Sequence, residues 1–321
     1  MSAAAKKLRP GVLLFGAYLA AMMIYCLVRL SARSELIMPA TAATIALWLA
    51  CAIVAALERV QMRRTLLMLA SGFGVALCFE YLGSSHGLIF GDYDYTDLLG
   101  PRMLGDVPVL IPAAWFMMLY PCWEIAAVLT QQITAHRRTA RIVIAAAAMT
   151  AWDLSLDPRM VADGAWIWPH GGAYFGVPLS NFVGWFVTAA TIFIVWTQID
   201  RRASAHSGGR LNLPIALYVT TWLGEAGANA MFWSGAQVGL IVFTGMGLFA
   251  APALWLCGGY DLLRRTVSGR ADAGALLERI GPFARFSPLK PRSIAIDVPQ
   301  NQIRAAAATT VEHNSQMHAG E

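Results

Sequence analysis

Four carboxylates stand where so apolar a chain has little reason to carry them. Asp153 and Asp157 lie four apart in AWDLSLDPRM (151–160), directly after the run RIVIAAAAMT, while Glu80 closes one apolar run and Glu225 sits inside TWLGEAGANAMFW. An ionisable group within lipid is costly, and for that reason it is a functional candidate. Burial in low dielectric favours the neutral form of a carboxylic acid, which suits it to donate a proton. Amides and aromatic rings accompany the acids. Trp222, Glu225 and Asn229 are spaced i, i+3, i+7 and share a helix face, as do Asn181 and Trp185 at i, i+4. Trp152 adjoins Asp153, and Tyr93 and Tyr95 follow Glu80. These residue types suit either proton-transfer catalysis in an apolar pocket or a proton relay through a bilayer.

The elements that position them are membrane spans. The chain has 321 residues, 57% hydrophobic and 13% charged, about half the charge of an ordinary soluble domain. Runs long enough to cross a bilayer fall near 10–30, 40–57, 65–83, 107–130, 140–154, 176–199, 211–232 and 236–260, with the second marginal and the fifth short. The expected fold is all-α, a polytopic bundle of about eight spans over residues 1–263, followed by a basic, largely disordered tail over 264–321. Within the tail, ALLERIGPFARF has the pattern of a surface-lying amphipathic piece, and His313 and His318 are given no role. The first run is too long for a signal peptide and lacks a small-residue cleavage site, so it is expected to stay as a helix.

Charge orients the spans. With eight, nearly all of the 24 basic residues fall on one side, in clusters such as Lys6/Lys7/Arg9, Arg59/Arg63/Arg64, Arg137/Arg138/Arg141 and Arg201/Arg202/Arg210. Only Arg29, Arg33, Arg102 and Arg159 fall on the other. The positive-inside rule then places both termini in the cytoplasm of a plasma (inner) membrane protein. Seven spans would break this alternation. The net charge of +5 is a topology signal and forms no nucleic-acid patch. Cys26, Cys51, Cys78, Cys122 and Cys257 lie in apolar runs without metal-ligand spacing and read as small core residues. No GxGxxG or Walker loop is present, so a nucleotide site has no support, and no metal is expected.

Both long loops, 80–108 and 152–185, face the non-cytoplasmic side, and they hold most of the special residues. That asymmetry points to function there. Glu80, Asp153, Asn181 and Glu225 converge at this end. Plainer readings stand beside the functional ones. Asp157 precedes Pro158, which pushes it off the helix, so it is a turn cap or a water-side partner. Asp92, Asp94, Asp97 and Asp106 are solvated loop acids, His86 and His170 surface histidines, and Glu124 a paired structural acid nearer the cytoplasm. Tyr93, Tyr95, Trp166, Trp168 and Tyr174 are an interfacial belt or part of a site. Gly83, Gly87, Gly91, Gly171, Gly172 and Gly176 suggest close-packed turns.

The pattern E-Y-L-G-x-x-x-G-x-x-F-G-x-Y-x-Y (80–95), then V-P (107–108), W-D-L-x-L-D-P-x-M (152–160) and G-V-P-L-x-N-F-x-G-W (176–185) resembles the integral-membrane carotenoid hydratases, over about residues 65–260. The resemblance implies addition of water across the terminal C1=C2 bond of a lipophilic polyene, with membrane lipid as its surroundings and no cofactor. Such chemistry needs a protonated carboxylic acid, π faces around a tertiary carbocation, and delivery of water. Asp153 suits the donor. Asp157 or Glu80 suits the water, with Asn181 and Asn229 positioning it and Glu225 as a further acid. Trp152, Trp185, Trp222, Tyr93 and Tyr95 suit the cation. The competing readings are a proton-coupled transporter using Glu80, Asp153 and Glu225, and a non-catalytic isoprenoid- or lipid-binding protein.

Overall fold

The computed structural model describes residues 10–31, 33–199, 211–232 and 235–259. The tail, its two histidines, the Lys6/Lys7/Arg9 cluster and the Arg201/Arg202/Arg210 cluster lie outside the described residues. Eight long helices follow one another: α1 (Pro10–Leu30), α2 (Ile37–Leu57), α3 (Met62–His86), α4 (Leu110–Leu129), α5 (Arg137–Ala162), α6 (Leu179–Ile199), α7 (Leu213–Phe232) and α8 (Gly235–Leu254). They match the expected spans in order, and the protein is an all-α polytopic bundle. Among the described residues, seven of these helices are long and apolar enough to cross a membrane.

The helix that falls short is α7, not the doubtful second or fifth run. α2 is a full 21-residue helix. α5, expected to end at 154, runs for 26 residues and contains Pro158. Proline removes one N–H, so the carbonyl four residues earlier, that of Leu154, loses its helical partner. The Tyr174 hydroxyl donates to that carbonyl at 2.9 Å. A loop side chain thus replaces the missing backbone donor, and the helix continues. Asp157 is therefore helical, a correction to its expected position off the helix.

α4 is the hub. It is apolar around its circumference, and 83% of its most apolar stretch is buried, as expected of a helix enclosed on all sides. It packs against α2, α3, α5, α7 and α8. Toward its far end, Glu124 pairs with Arg59 at 3.2 Å and Arg141 at 3.7 Å, and the Arg141 guanidinium lies 3.7 Å from the Trp123 ring centroid. This is the paired structural acid the sequence suggests. Of the cysteines, Cys51, Cys122 and Cys257 are buried, whereas Cys78 is exposed on α3, outside the expected core.

At the opposite end the two long loops are joined to each other. Strand β1 (Asp94–Tyr95) pairs antiparallel with β4 (Trp166–Ile167), Tyr95 opposite Trp166. Between them in sequence, β2 (Arg102–Met103) and β3 (Val107–Pro108) form a second short ribbon. Arg102 bonds Asp97 and Asp106 and donates to the Tyr95 carbonyl. Asp92, Asp94, Asp97 and Asp106 are exposed, as are His86 and His170. The loops form a cap over the ends of α3, α5 and α6.

Candidate active site

α5 organises the site because its spacing sends two kinds of group to two sides. Asp153 and Asp157, four apart, share one face. Ser155 and Arg159, offset from them by two residues, point nearly opposite. On the first side, Asn181 Nδ2 donates to Asp153 Oδ2 at 2.9 Å and, over a shorter distance, to Asp157 Oδ2. All three residues are buried, Asp153 and Asp157 at 0% and 2% exposure, and the two carboxyls share the one amide group. Asn181 holds this position because α6 begins at Leu179, directly after a folded-back loop in which Tyr174 and Val177 bond each other. Gly172 makes that loop possible, since a Cβ there would lie 2.0 Å from the Val177 carbonyl carbon.

Glu80 completes this side from α3. Its Oε2 accepts from Tyr93 and Tyr95, each at 2.6 Å, and its Oε1 accepts from Trp115 Nε1 at 3.0 Å. A buried carboxylate is tolerated only when such donors replace water. Burial, and next the Glu80 carboxylate, push both tyrosine hydroxyls well above their ordinary range, so both stay protonated and donate.

Glu80, Asp157 and Asn181 line one cavity of about 50 Å³, whose remaining wall is mostly aromatic, with Ile111, Ala114 and Leu156. Trp115 stacks on Trp185 with centroids 4.4 Å apart, and Trp152 meets Trp185 edge-on at 5.8 Å. Tyr93 lies against Trp168 and Tyr95 against Trp166. Tyr93, Tyr95, Trp166 and Trp168 are all buried, so these four are part of a pocket and no interfacial belt. Tyr174 is the helix-completing residue described above. Asp153 lies behind Asp157 and does not line the cavity.

Glu225, Asn229 and Trp222 are on the other side of α5. Ser155 Oγ donates to Glu225 Oε2 at 2.7 Å and Arg159 Nη1 to Oε1 at 3.1 Å. Asn229 Nδ2 donates to Ser155 Oγ at 2.7 Å and to the Glu225 carbonyl at 3.0 Å. Trp222 donates to the Phe243 carbonyl of α8. The expected convergence of four polar groups is thus two clusters: Glu80, Asp153 and Asn181 together with Asp157, and Glu225 with Arg159. The sequence reading did not single out Trp115 or Ser155, and counted Arg159 only as a topology charge. The i, i+4 spacing of Ser155 and Arg159 was a visible signal; Trp115 had none. Among the described residues, no group of three or more His, Cys, Asp or Glu is arranged to hold a metal.

A helix bundle whose capped end encloses buried acids in an aromatic pocket defines a polytopic membrane protein with an enclosed acid-lined site. The family model described as "Carotenoid biosynthesis protein" matches residues 40–248, and the chain belongs to that family. It is also similar to the bisanhydrobacterioruberin hydratase of Haloarcula japonica, 29% identical over 174 residues that cover 53% of this chain and 57% of that protein. The chain therefore matches little more than half the length of this curated relative. No solved structure matches it significantly.

Proposed function

We propose that this protein is a hydratase that adds water to the terminal C1=C2 bond of an acyclic carotenoid end, giving a tertiary alcohol. The observation that carries this reading is the pair of fully buried aspartates sharing one amide donor at the edge of an aromatic cavity. Two carboxylates this close do not both ionise in low dielectric, so the pair holds a proton between them. The arrangement agrees with Asp153 Oδ1, a buried atom without a hydrogen-bond partner, which suits a neutral carboxyl better than an ionised one. Family membership and the similarity to a hydratase support the same reading.

In the proposed reaction Asp157, which faces the cavity, transfers the proton to C2. The π electrons of C1=C2 form the new C–H bond and leave a tertiary cation at C1. The faces of Trp115, Trp152 and Trp185 surround that charge, an interaction worth up to about 2 kcal/mol per ring when desolvated. Water then adds through oxygen to C1, and its surplus proton returns to the aspartate pair, which resets the site. Glu80, with Tyr93 and Tyr95, orients the water. Asp153 becomes the partner that stores and aims the proton, and the donor role expected for it passes to Asp157. Water and a recycled proton are the only co-reactants, so the scheme uses no cofactor. Both termini are taken to be cytoplasmic in the plasma (inner) membrane, which sets the pocket in the outer leaflet.

A relay transporter has less support, because Glu225 is held by Arg159 and Glu124 by Arg59 and Arg141, which leaves no run of free acids between the ends among the described residues. The deciding experiment is expression in cells that accumulate an acyclic carotene, followed by pigment chromatography in ¹⁸O-labelled water. A hydroxylated product carrying the label is expected. Unchanged pigment from a correctly folded protein overturns the proposal.

A further inference from the structure

Phe90 belongs to the motif 80–95 and lines the cavity, yet the reaction scheme gives it no task. Its seat is unusually constrained. The Phe90 N–H donates to the Leu88 carbonyl at 2.8 Å, closing a γ-turn around Ile89 at φ 73°. That conformation is rare and strained, more so for a β-branched residue. Strain of this kind persists only where surrounding contacts enforce it, and it concentrates at functional sites. Here the enforcement is visible. Trp168 Nε1 donates to the Phe90 carbonyl at 3.2 Å. The phenyl ring is wedged between α3 and α6 at two glycines. A Cβ on Gly83 would lie 2.7 Å from one side of the ring, and a Cβ on Gly184 would lie 2.6 Å from the other. The ring fits only because both helices lack a side chain there, and the two glycines hold its two edges.

The cavity that Phe90 helps enclose measures about 50 Å³. A dry cavity of about 150 Å³ is the size that admits benzene, so room at the acids is scarce, and a cyclised end, a six-membered ring carrying three methyls, is penalised more than the slimmer open-chain end while Phe90 stays in its socket. We infer that Phe90, clamped by Gly83 and Gly184, is the specificity-determining residue that limits the site to open-chain, gem-dimethyl polyene ends and excludes cyclised ones. This rests on the proposed function for the identity of the ligand, but concerns binding and not the chemical step.

The test is pigment retention. Purified wild type, Phe90→Ala and Phe90→Trp in detergent are incubated with lycopene, whose ends are open, or β-carotene, whose ends are six-membered rings. Retained pigment is read by visible absorbance after size exclusion. The wild type is expected to retain lycopene and reject β-carotene. Phe90→Ala should raise the β-carotene-to-lycopene ratio roughly tenfold or more, the scale on which apolar pockets discriminate by size, and Phe90→Trp should lower retention of both. Should Phe90→Ala aggregate, Phe90→Leu carries the test, with a smaller shift in the same direction. An unchanged ratio in a monodisperse variant overturns the inference. A wild type that retains lycopene selectively but never hydrates it overturns the reaction and leaves the socket standing; hydration with an unchanged ratio does the reverse. A wild type retaining neither pigment overturns both.

Discussion

The two sides of α5 hold buried acids in opposite circumstances. On one side, Asp153 and Asp157 face each other across a single amide, and Glu80 is met only by neutral donors; among the described residues no cation is bonded to any of the three. On the other, the Glu225 carboxylate has Arg159 and Ser155, while Asn229 braces Ser155 and the Glu225 backbone carbonyl. An acid matched to a cation contributes to holding helices together. Acids gathered without one are difficult to account for by stability, since like groups in low dielectric repel or must be neutralised. The comparison teaches that being an acid within a span does not by itself mark catalysis. Under the proposed function, the sign of the nearest partner separates the two cases.

That contrast is best broken by exchanging charge for amide on each side. The largest expected effect is Asp157→Asn. Removal of a general acid typically lowers turnover by about 10²–10⁴-fold, and carotene hydration in membranes should fall by that order. Thermal unfolding in detergent should show the variant at least as stable as the wild type, because a neutral amide replaces a buried ionisable group. Asp153→Asn should follow the same pattern with a smaller loss of rate. Wild-type turnover in either variant would end the proton-pair account.

Glu80→Gln comes next. It replaces one acceptor oxygen by a donor facing two hydroxyls and an indole, so hydration should drop by one to two orders of magnitude, roughly the lower part of the acid–base range. A single-turnover assay would separate slow protonation from slow water capture. Glu225→Gln should invert the pattern. It leaves Arg159 without its carboxylate, and breaking a buried pair costs about 3–5 kcal/mol. Unfolding temperature should fall while turnover per folded molecule stays largely intact. A rate loss matching that of Asp157→Asn, with stability unchanged, would merge the two clusters again. The smallest effect belongs to Tyr174→Phe. It deprives the Leu154 carbonyl of its donor, worth about 1–2 kcal/mol, and should appear as faster amide exchange in α5 after residue 154.

Much of this was readable from residue order. Eight apolar runs, the polar density at one end and the placement of Glu80 and Asp153 at that end all follow from hydropathy and span counting. What was not readable depends on partners distant in the chain. Pro158 argues locally for a helix end, and only Tyr174, 16 positions on, reverses that. Tyr93, Tyr95, Trp166 and Trp168 have the composition of a membrane-interface belt. Their burial depends on β1 pairing with β4 across the intervening helices, which no local pattern encodes. Glu225 seemed to share depth with the other acids because span counting fixes height in the bilayer and not rotation about the axis. The i, i+4 phases of 153/157 and 155/159 contained the missing rotation, but their meaning emerged only once α6 and α7 were seen on opposite flanks.

The shortfall of α7 in apolar content has a consequence for how the protein is made. Emerging from the ribosome, this segment would present Glu225 and Asn229 to lipid with too little hydrophobic surface around them to hold it there. α5 precedes it in synthesis and offers Arg159 and Ser155 as ready partners, and α8 follows as its closest packing neighbour. Insertion of the seventh helix is then a cooperative event within a partly assembled bundle, not an independent partitioning step.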